Sequence, residues 1–272
     1  MHPASEPSRD TLLSWLALQT EWGAEDALLD TPRDRRAATA PAIAFPPRQR
    51  VAPVPSAAPD PPSLPTAASL AELRESLERF DQCALKRTAT RLVFADGAED
   101  ARIMLIGEAP GAEEDRVGRP FVGPAGQLLD RMLASVGLDR NSVRIVNAVP
   151  WRPPGNRTPS DTEIAQCLPF LHRHIALVRP DYLVLLGAVA VRALFGGKDG
   201  ITRLRGKWKN LEIPGLDAPV RTLPTYHPAF LLRQPAAKRL AWLDLLTLRQ
   251  DCVRNGIITD AAMQKSNLIT KS

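Results

Sequence analysis

Four short apolar runs mark the chain from residue 103 onward: Ile103–Ile106, Val143–Val149, Leu183–Leu186 and Val220–Thr225. Each reads as a buried strand. Hydrophobic residues recur at helical spacing near 125–136, 161–178, 188–195 and 235–254, and an earlier helix is expected over about 68–80. Ser160 and Glu163 form a capping-box pair at the start of the second of these patterns. The third connection is not purely helical, because Ile201–Leu211 has the look of a loop or an extra strand. Alternation of strand and helix predicts an α/β fold: a three-layer α/β/α sandwich around a mainly parallel four-stranded sheet.

Upstream the pattern changes. Residues 10–29 predict an amphipathic helix, with Leu12, Leu13, Trp15, Leu16, Leu18 and Trp22 on its apolar side, open to a protein partner or to docking on the main domain. Residues 31–66 are rich in Pro and Ala and lack the apolar content to fold alone, which predicts a disordered linker. The expected organisation is therefore a helical segment over 1–30, a linker over 31–66, a catalytic domain over 67–254 and a tail over 255–272.

Composition narrows the class. Three cysteines in 272 residues argue against a disulfide framework. No apolar run is long enough to span a bilayer, and no basic cluster leads into an apolar stretch at the N-terminus. A cytoplasmic protein, acting as a monomer, is expected. Charge is uneven: residues 1–81 carry 8 basic and 12 acidic groups, the remainder 27 and 18. A basic main domain suits a nucleic-acid partner, but equally a protein kept soluble by its charge.

Ligands of open parallel sheets sit beyond the carboxyl ends of the strands. Here the first strand runs into Gly107-Glu108-Ala109-Pro110-Gly111, with Glu113, Glu114 and Asp115 after it. The second ends at Asn147, before Trp151-Arg152-Pro153-Pro154-Gly155-Asn156-Arg157. The third ends in Gly187 and the fourth in Tyr226-His227-Pro228. A carboxylate, an amide and an imidazole thus converge on one edge, which implies polar recognition with acid–base or electrostatic chemistry. The first loop lacks the glycine spacing of a dinucleotide fingerprint and the Lys-Ser/Thr of a phosphate-binding loop. Taken singly, each residue also has a plain structural reading: a tight turn, a strand-end Asn, a core Phe.

Taken together, Gly107 to Asp115, Arg119-Pro120-Phe121-Val122-Gly123, the Asn147 segment and His227-Pro228-Ala229 resemble family 4 uracil-DNA glycosylases from about residue 68 to 250. The resemblance implies a monofunctional glycosylase of base-excision repair that flips uracil out of single- or double-stranded DNA and hydrolyses its N-glycosidic bond. Phe121 would stack on the base. Asn147 would read uracil, whose O4 acceptor and N3–H donor match an amide and whose pattern cytosine reverses. His227 would stabilise the departing anion at O2, a contribution of about 3 kcal/mol for one preorganised donor. Glu108 is the candidate for ordering the attacking water, with Asn147 and backbone groups as alternatives. Glu114 would exclude a thymine methyl, and Gly107, Ala109, Pro110, Gly111, Asp115 and Asn156 would complete the substrate site. Arg157, Arg203, Arg205, Lys207 and Arg233 are candidate DNA contacts, Lys209 continuing the alternation of 203, 205 and 207 on one face if extended. Leu231, in Phe230-Leu231-Leu232-Arg233, is a candidate wedge.

One departure stands out. Family 4 enzymes typically carry a [4Fe–4S] cluster on four cysteines. Here Cys83 and Cys167 occupy the second and fourth positions, but Phe80 stands at the first and Trp151 at the third; Cys252 lies outside the pattern. Such a cluster needs four thiolates, so no iron–sulfur cluster and no other metal or cofactor is expected. A zinc site on the two cysteines is the alternative. Two other functions stay open: a non-catalytic module that binds uracil or abasic sites, and a glycosylase for another deaminated base such as hypoxanthine.

Overall fold

Six strands and eight helices carry the described part of the chain, residues 65–197 and 199–258 of a computed structural model. The strands are β1 (Asp96–Gly97), β2 (Ile103–Gly107), β3 (Arg144–Asn147), β4 (Tyr182–Leu186), β5 (Lys209–Leu211) and β6 (Val220–Thr225). The helices are α1 (Leu70–Arg79), α2 (Ala112–Val117), α3 (Pro124–Ala134), α4 (Asp161–Val178), α5 (Ala188–Phe195), α6 (Ile201–Leu204), α7 (Pro228–Arg233) and α8 (Lys238–Arg254). The predicted helix over 10–29, most of the linker and most of the C-terminal tail lie outside the described residues.

The strand order is β1-β3-β2-β4-β6-β5. The inner four strands are parallel, in the registers Gly107↔Asn147, Ile106↔Leu185 and Leu186↔Thr225. The expected four-stranded sheet is therefore corrected to six: β1 and β5 add short antiparallel edges. They escaped the pattern because they are two and three residues long and not fully buried, with no apolar run to mark them.

Alternation along β2 splits the core. Met104 and Ile106 face Leu73 and Leu77 of α1 and Ile164, Leu171 and Ile175 of α4. Ile103 and Leu105 face Leu129 and Leu133 of α3 and Leu245 and Leu248 of α8. With both faces covered, the strands read as continuous apolar runs, and the fold is the three-layer sandwich. Helix α4 opens on the predicted capping box: Ser160 Oγ accepts from Glu163 N at 3.2 Å, and Glu163 Oε2 accepts from Ser160 N at 2.8 Å.

Candidate active site

The carboxyl ends of β2, β3 and β6 open on one cavity of about 430 Å³. Ala148 N donates to Gly107 O at 2.9 Å and Val149 N to Glu108 O at 3.1 Å, so the loops after β2 and β3 leave the sheet side by side. Glu108, Ala109, Pro110 and Gly111 line one wall. Asn147, Phe121 and His227 line the floor and the opposite side.

Gly107 sits beneath this floor. A Cβ there would lie 2.5 Å from Asn147 Oδ1 and 2.6 Å from the Phe121 ring, closer than real contacts allow. Only glycine lets the amide and the ring meet over the strand end. Asn147 is buried, and no hydrogen bond to its side chain exists among the described residues, which leaves the amide open to the cavity. Phe121 lies tilted against His227, ring centroids 5.4 Å apart.

His227 caps α7. Its Nδ1 accepts from Ala229 N at 3.1 Å, which places the ring proton on Nε2. Burial, with Arg233 nearby, lowers its pKa to about 4, so the imidazole is neutral at neutral pH. Gly187, the residue after β4, makes room for it, since a Cβ there would come within 2.9 Å of His227 Cβ. Burial raises the Glu108 carboxyl above its ordinary range, against the opposing pull of the Thr158 hydroxyl, Arg192 and Arg233. Glu114 lines the cavity with its oxygens fully engaged: it accepts from Gly111 N at 3.1 Å and from Val122 N and Gly123 N at 2.9 Å each.

Several expected site residues stand elsewhere. Asp115 does not reach the cavity; it is buried, and Oδ1 accepts from Thr90 N and Arg91 N at 2.8 and 3.1 Å, tying α2 to the loop before β1. Leu231 is corrected as well: it packs with Leu128, Tyr226 and Ala241, and its neighbour Leu232 is the exposed one. The alternating cations do not share a strand. Arg203 lies within α6 and pairs with Asp199, while Lys209 starts β5 and lies 5.1 Å from the Phe195 ring. Lys207 is exposed in the turn between them. Arg205 is bound by both oxygens of buried Asp244, which also accepts from Thr225 Oγ1 at 2.7 Å. That cation fastens its turn to α8 and β6. Arg157, Asn156 and Arg233 do line the cavity. Arg157 is doubly bonded to Glu163 at 2.7 and 2.9 Å, and this partner pulls the Glu163 carboxyl down to about 2. Asn156 Oδ1 accepts from Arg152 Nε at 2.8 Å.

Thr158, Ala125, Ala229 and Phe230 also line the cavity, the last two inside quoted motifs but with no role of their own assigned there. Nothing in their spacing marks them. Only the return of the 153–158 loop over the carboxyl end of β2 brings Thr158 to Glu108.

The four positions that the resemblance links to a cluster come together on the α1–α4 side of the sheet. Cys83 and Cys167 are buried and free, their thiols hydrogen-bonded to each other. Phe80 and Trp151 stack at 6.4 Å, and Phe170 meets Phe80 edge-on at 4.8 Å. The Cys167 bond draws the Cys83 thiol down to about 7. Two thiols beside two aromatic rings do not make the donor set of a four-thiolate cluster.

Fold and site together define the class: the sequence profile of the Uracil DNA glycosylase superfamily matches residues 94–246, and the chain belongs to that superfamily. Within it, the chain is 39% identical over 173 residues to the Type-4 uracil-DNA glycosylase of Pyrobaculum aerophilum, covering 62% of this chain and 87% of that protein. To the Type-4 enzyme of Thermotoga maritima it is 42% identical over 160 residues, 58% of this chain and 81% of that protein. To that of Sulfurisphaera tokodaii it is 38% identical over 190 residues, 67% and 84% of the two chains.

Proposed function

We propose that this chain hydrolyses the N-glycosidic bond of uracil in DNA, as a monofunctional glycosylase of base-excision repair. The observation that carries this reading is the grouping of an open amide, an aromatic ring and a neutral imidazole around one cavity at the strand ends. The flipped base stacks on Phe121. Asn147 donates to O4 and accepts from N3–H. Glu114, fixed by three backbone amides, walls off the space a C5 methyl would need. As the C1′–N1 bond lengthens, negative charge gathers on the base, and His227 Nε2–H donates to it at O2. A neutral donor suits this step because the proton need not leave the ring. Glu108 orders the water that adds to C1′ and takes up its proton, assisted by the Thr158 hydroxyl. The departing uracil anion is then protonated from solvent. Arg157 and Arg233 at the rim are the proposed phosphate contacts.

The cavity region works as a monomer in the cytosol, on this reading, and no helix among the described residues is long and apolar enough to cross a membrane. We also propose that no iron–sulfur cluster binds. The support is the donor set: Phe80 and Trp151 offer no ligand, they stack on each other, and Phe170 meets Phe80 edge-on. Anaerobically purified protein should be colourless; near-stoichiometric iron and sulfide would overturn this.

The activity is tested with labelled oligonucleotides carrying U, T, C or hypoxanthine, followed by alkali to reveal abasic sites. Cleavage at U alone is expected. Tight binding of U-containing DNA without any abasic product would favour a non-catalytic module.

A further inference from the structure

We infer that Arg140 is a positioning residue for the base-stacking ring, holding Phe121 through its backbone carbonyl. The inference rests on the stacking role proposed for Phe121. Phe121 is one of three non-glycine residues with positive φ among those described, at φ 56°. That conformation is disfavoured for a bulky L-residue and persists only where the surroundings enforce it. The surroundings here are specific. Arg140 Nη1 donates to Pro120 O at 3.2 Å, and Nη2 donates to Phe121 O. The guanidinium is itself anchored from two elements: Nε donates to Asp130 Oδ1 of α3 at 2.7 Å, and Nη1 to Asp96 Oδ2 of β1 at 2.6 Å. Asp96 also holds Arg119 at 3.0 Å, which secures the residue just before Pro120.

The other side of Phe121 is fastened independently by Glu114, through Val122 N and Gly123 N at 2.9 Å each. Below, the carbonyl rests on Gly126, where a Cβ would come within 1.6 Å of Phe121 O. Carbonyl and following amides are therefore held by charges of opposite sign, and the ring is delivered against His227 and over Gly107. Without the guanidinium, two carbonyls lose their donors, and the backbone can relax toward a right-handed conformation. That rotation moves Cβ and carries the ring off the base. Arg140 touches neither the cavity nor DNA on this account, and acts on the base only through Phe121.

The test is a double-mutant cycle on the full chain: wild type, Arg140→Ala, Phe121→Ala and the double variant. Four quantities are read: single-turnover uracil excision at saturating enzyme, duplex affinity, inhibition by free uracil, and thermal midpoint. Arg140→Ala should slow excision roughly 10–100-fold. Duplex affinity should be unchanged, and inhibition by free uracil should weaken in parallel with the rate. In the Phe121→Ala background the same change should have less than about a twofold effect, because interacting residues are non-additive. Arg140→Lys should recover part of the loss. If Arg140→Ala does not fold at the assay temperature, Arg140→Lys and Asp130→Asn, which loosens the guanidinium without removing it, enter the same cycle.

An unchanged rate in Arg140→Ala, or a loss that adds in full to that of Phe121→Ala, overturns the positioning role alone. If wild type excises uracil and Phe121→Ala does so equally well, the stacking role itself falls and takes this inference with it.

Discussion

The Nδ1 of His227 accepts the backbone N–H of Ala229 at 3.1 Å, and this one bond decides what the imidazole can do. With Nδ1 used as an acceptor, Nε2 carries the proton and points a neutral donor at the cavity. His227→Ala should slow uracil excision roughly 10²–10³-fold in single turnover, the loss of one preorganised donor. A change confined to DNA affinity, with the chemical step intact, would make the imidazole a binding residue.

The same burial has a consequence for stability. His227 titrates at about 4 and His174, beneath β3, at about 3, both lowered by burial from an ordinary 6.5. Between pH 6.5 and about 4 the unfolded chain binds protons at these rings that the folded chain does not. Stability therefore falls as pH drops through that window and is fully present above it. Urea unfolding at pH 7.5 and 5.0 should show the loss in wild type and a smaller loss in His227→Ala. Equal losses would mean that the ring is not held neutral.

Gly107→Ala places a methyl against Asn147 and Phe121 at once. The ring or the amide must give way, since the strand is locked between β3 and β4. Excision should drop at least about tenfold, in keeping with the cost of small displacements at a reacting centre. Full activity in a folded variant would show that the contact at 2.6 Å is relieved without cost.

Arg205 separates two roles that its charge alone could not. Removing it leaves the carboxylate of Asp244 buried without its cation, a loss of about 3 kcal/mol. Arg205→Ala should lower the thermal midpoint by several degrees while duplex affinity, measured well below that midpoint, stays within about twofold. Weaker DNA binding at unchanged stability would restore the assignment of Arg205 to the DNA surface.

Residues 1–66 are proposed to be dispensable for base excision, whereas removing residues 67 and 68 as well carries a cost. Ala67 is buried, and its carbonyl accepts from Arg173 Nε at 2.7 Å. A chain starting at residue 65 should fold and retain activity, whereas one starting at 69 should be less stable. Loss of activity in a folded chain starting at 65 would assign the upstream segment a part in catalysis.

The sequence was most legible where one physical rule dominated. Burial on both faces wrote the inner strands as apolar runs, and Ser160 with Glu163 marked the start of α4 to the residue. The strand-end rule places Glu108, Asn147 and His227 on one edge of the sheet, where all three line the same cavity. It failed where long-range partners decide a side chain's fate. Arg205 looks like a surface cation until Asp244, 39 residues away, is seen to hold it. Leu231 and Leu232 are equivalent in sequence, and only the phase of α7 turns one inward. Asp115 and Arg140 fasten backbone atoms of distant loops, and no spacing encodes that. The short edges β1 and β5 lacked an apolar signature for the same reason that they are edges: solvent, not a second layer, covers them.

The cavity holding Asn147 is proposed to release uracil from DNA. The most direct measurement is single-turnover release of free uracil from a U-containing duplex by wild type and by Asn147→Ala, with duplex affinity measured in parallel. The proposed role of Asn147 predicts rapid release by wild type, near-complete loss in Asn147→Ala, and DNA binding retained in both. Near-wild-type release by Asn147→Ala, or no release by the folded wild-type chain, would contradict it.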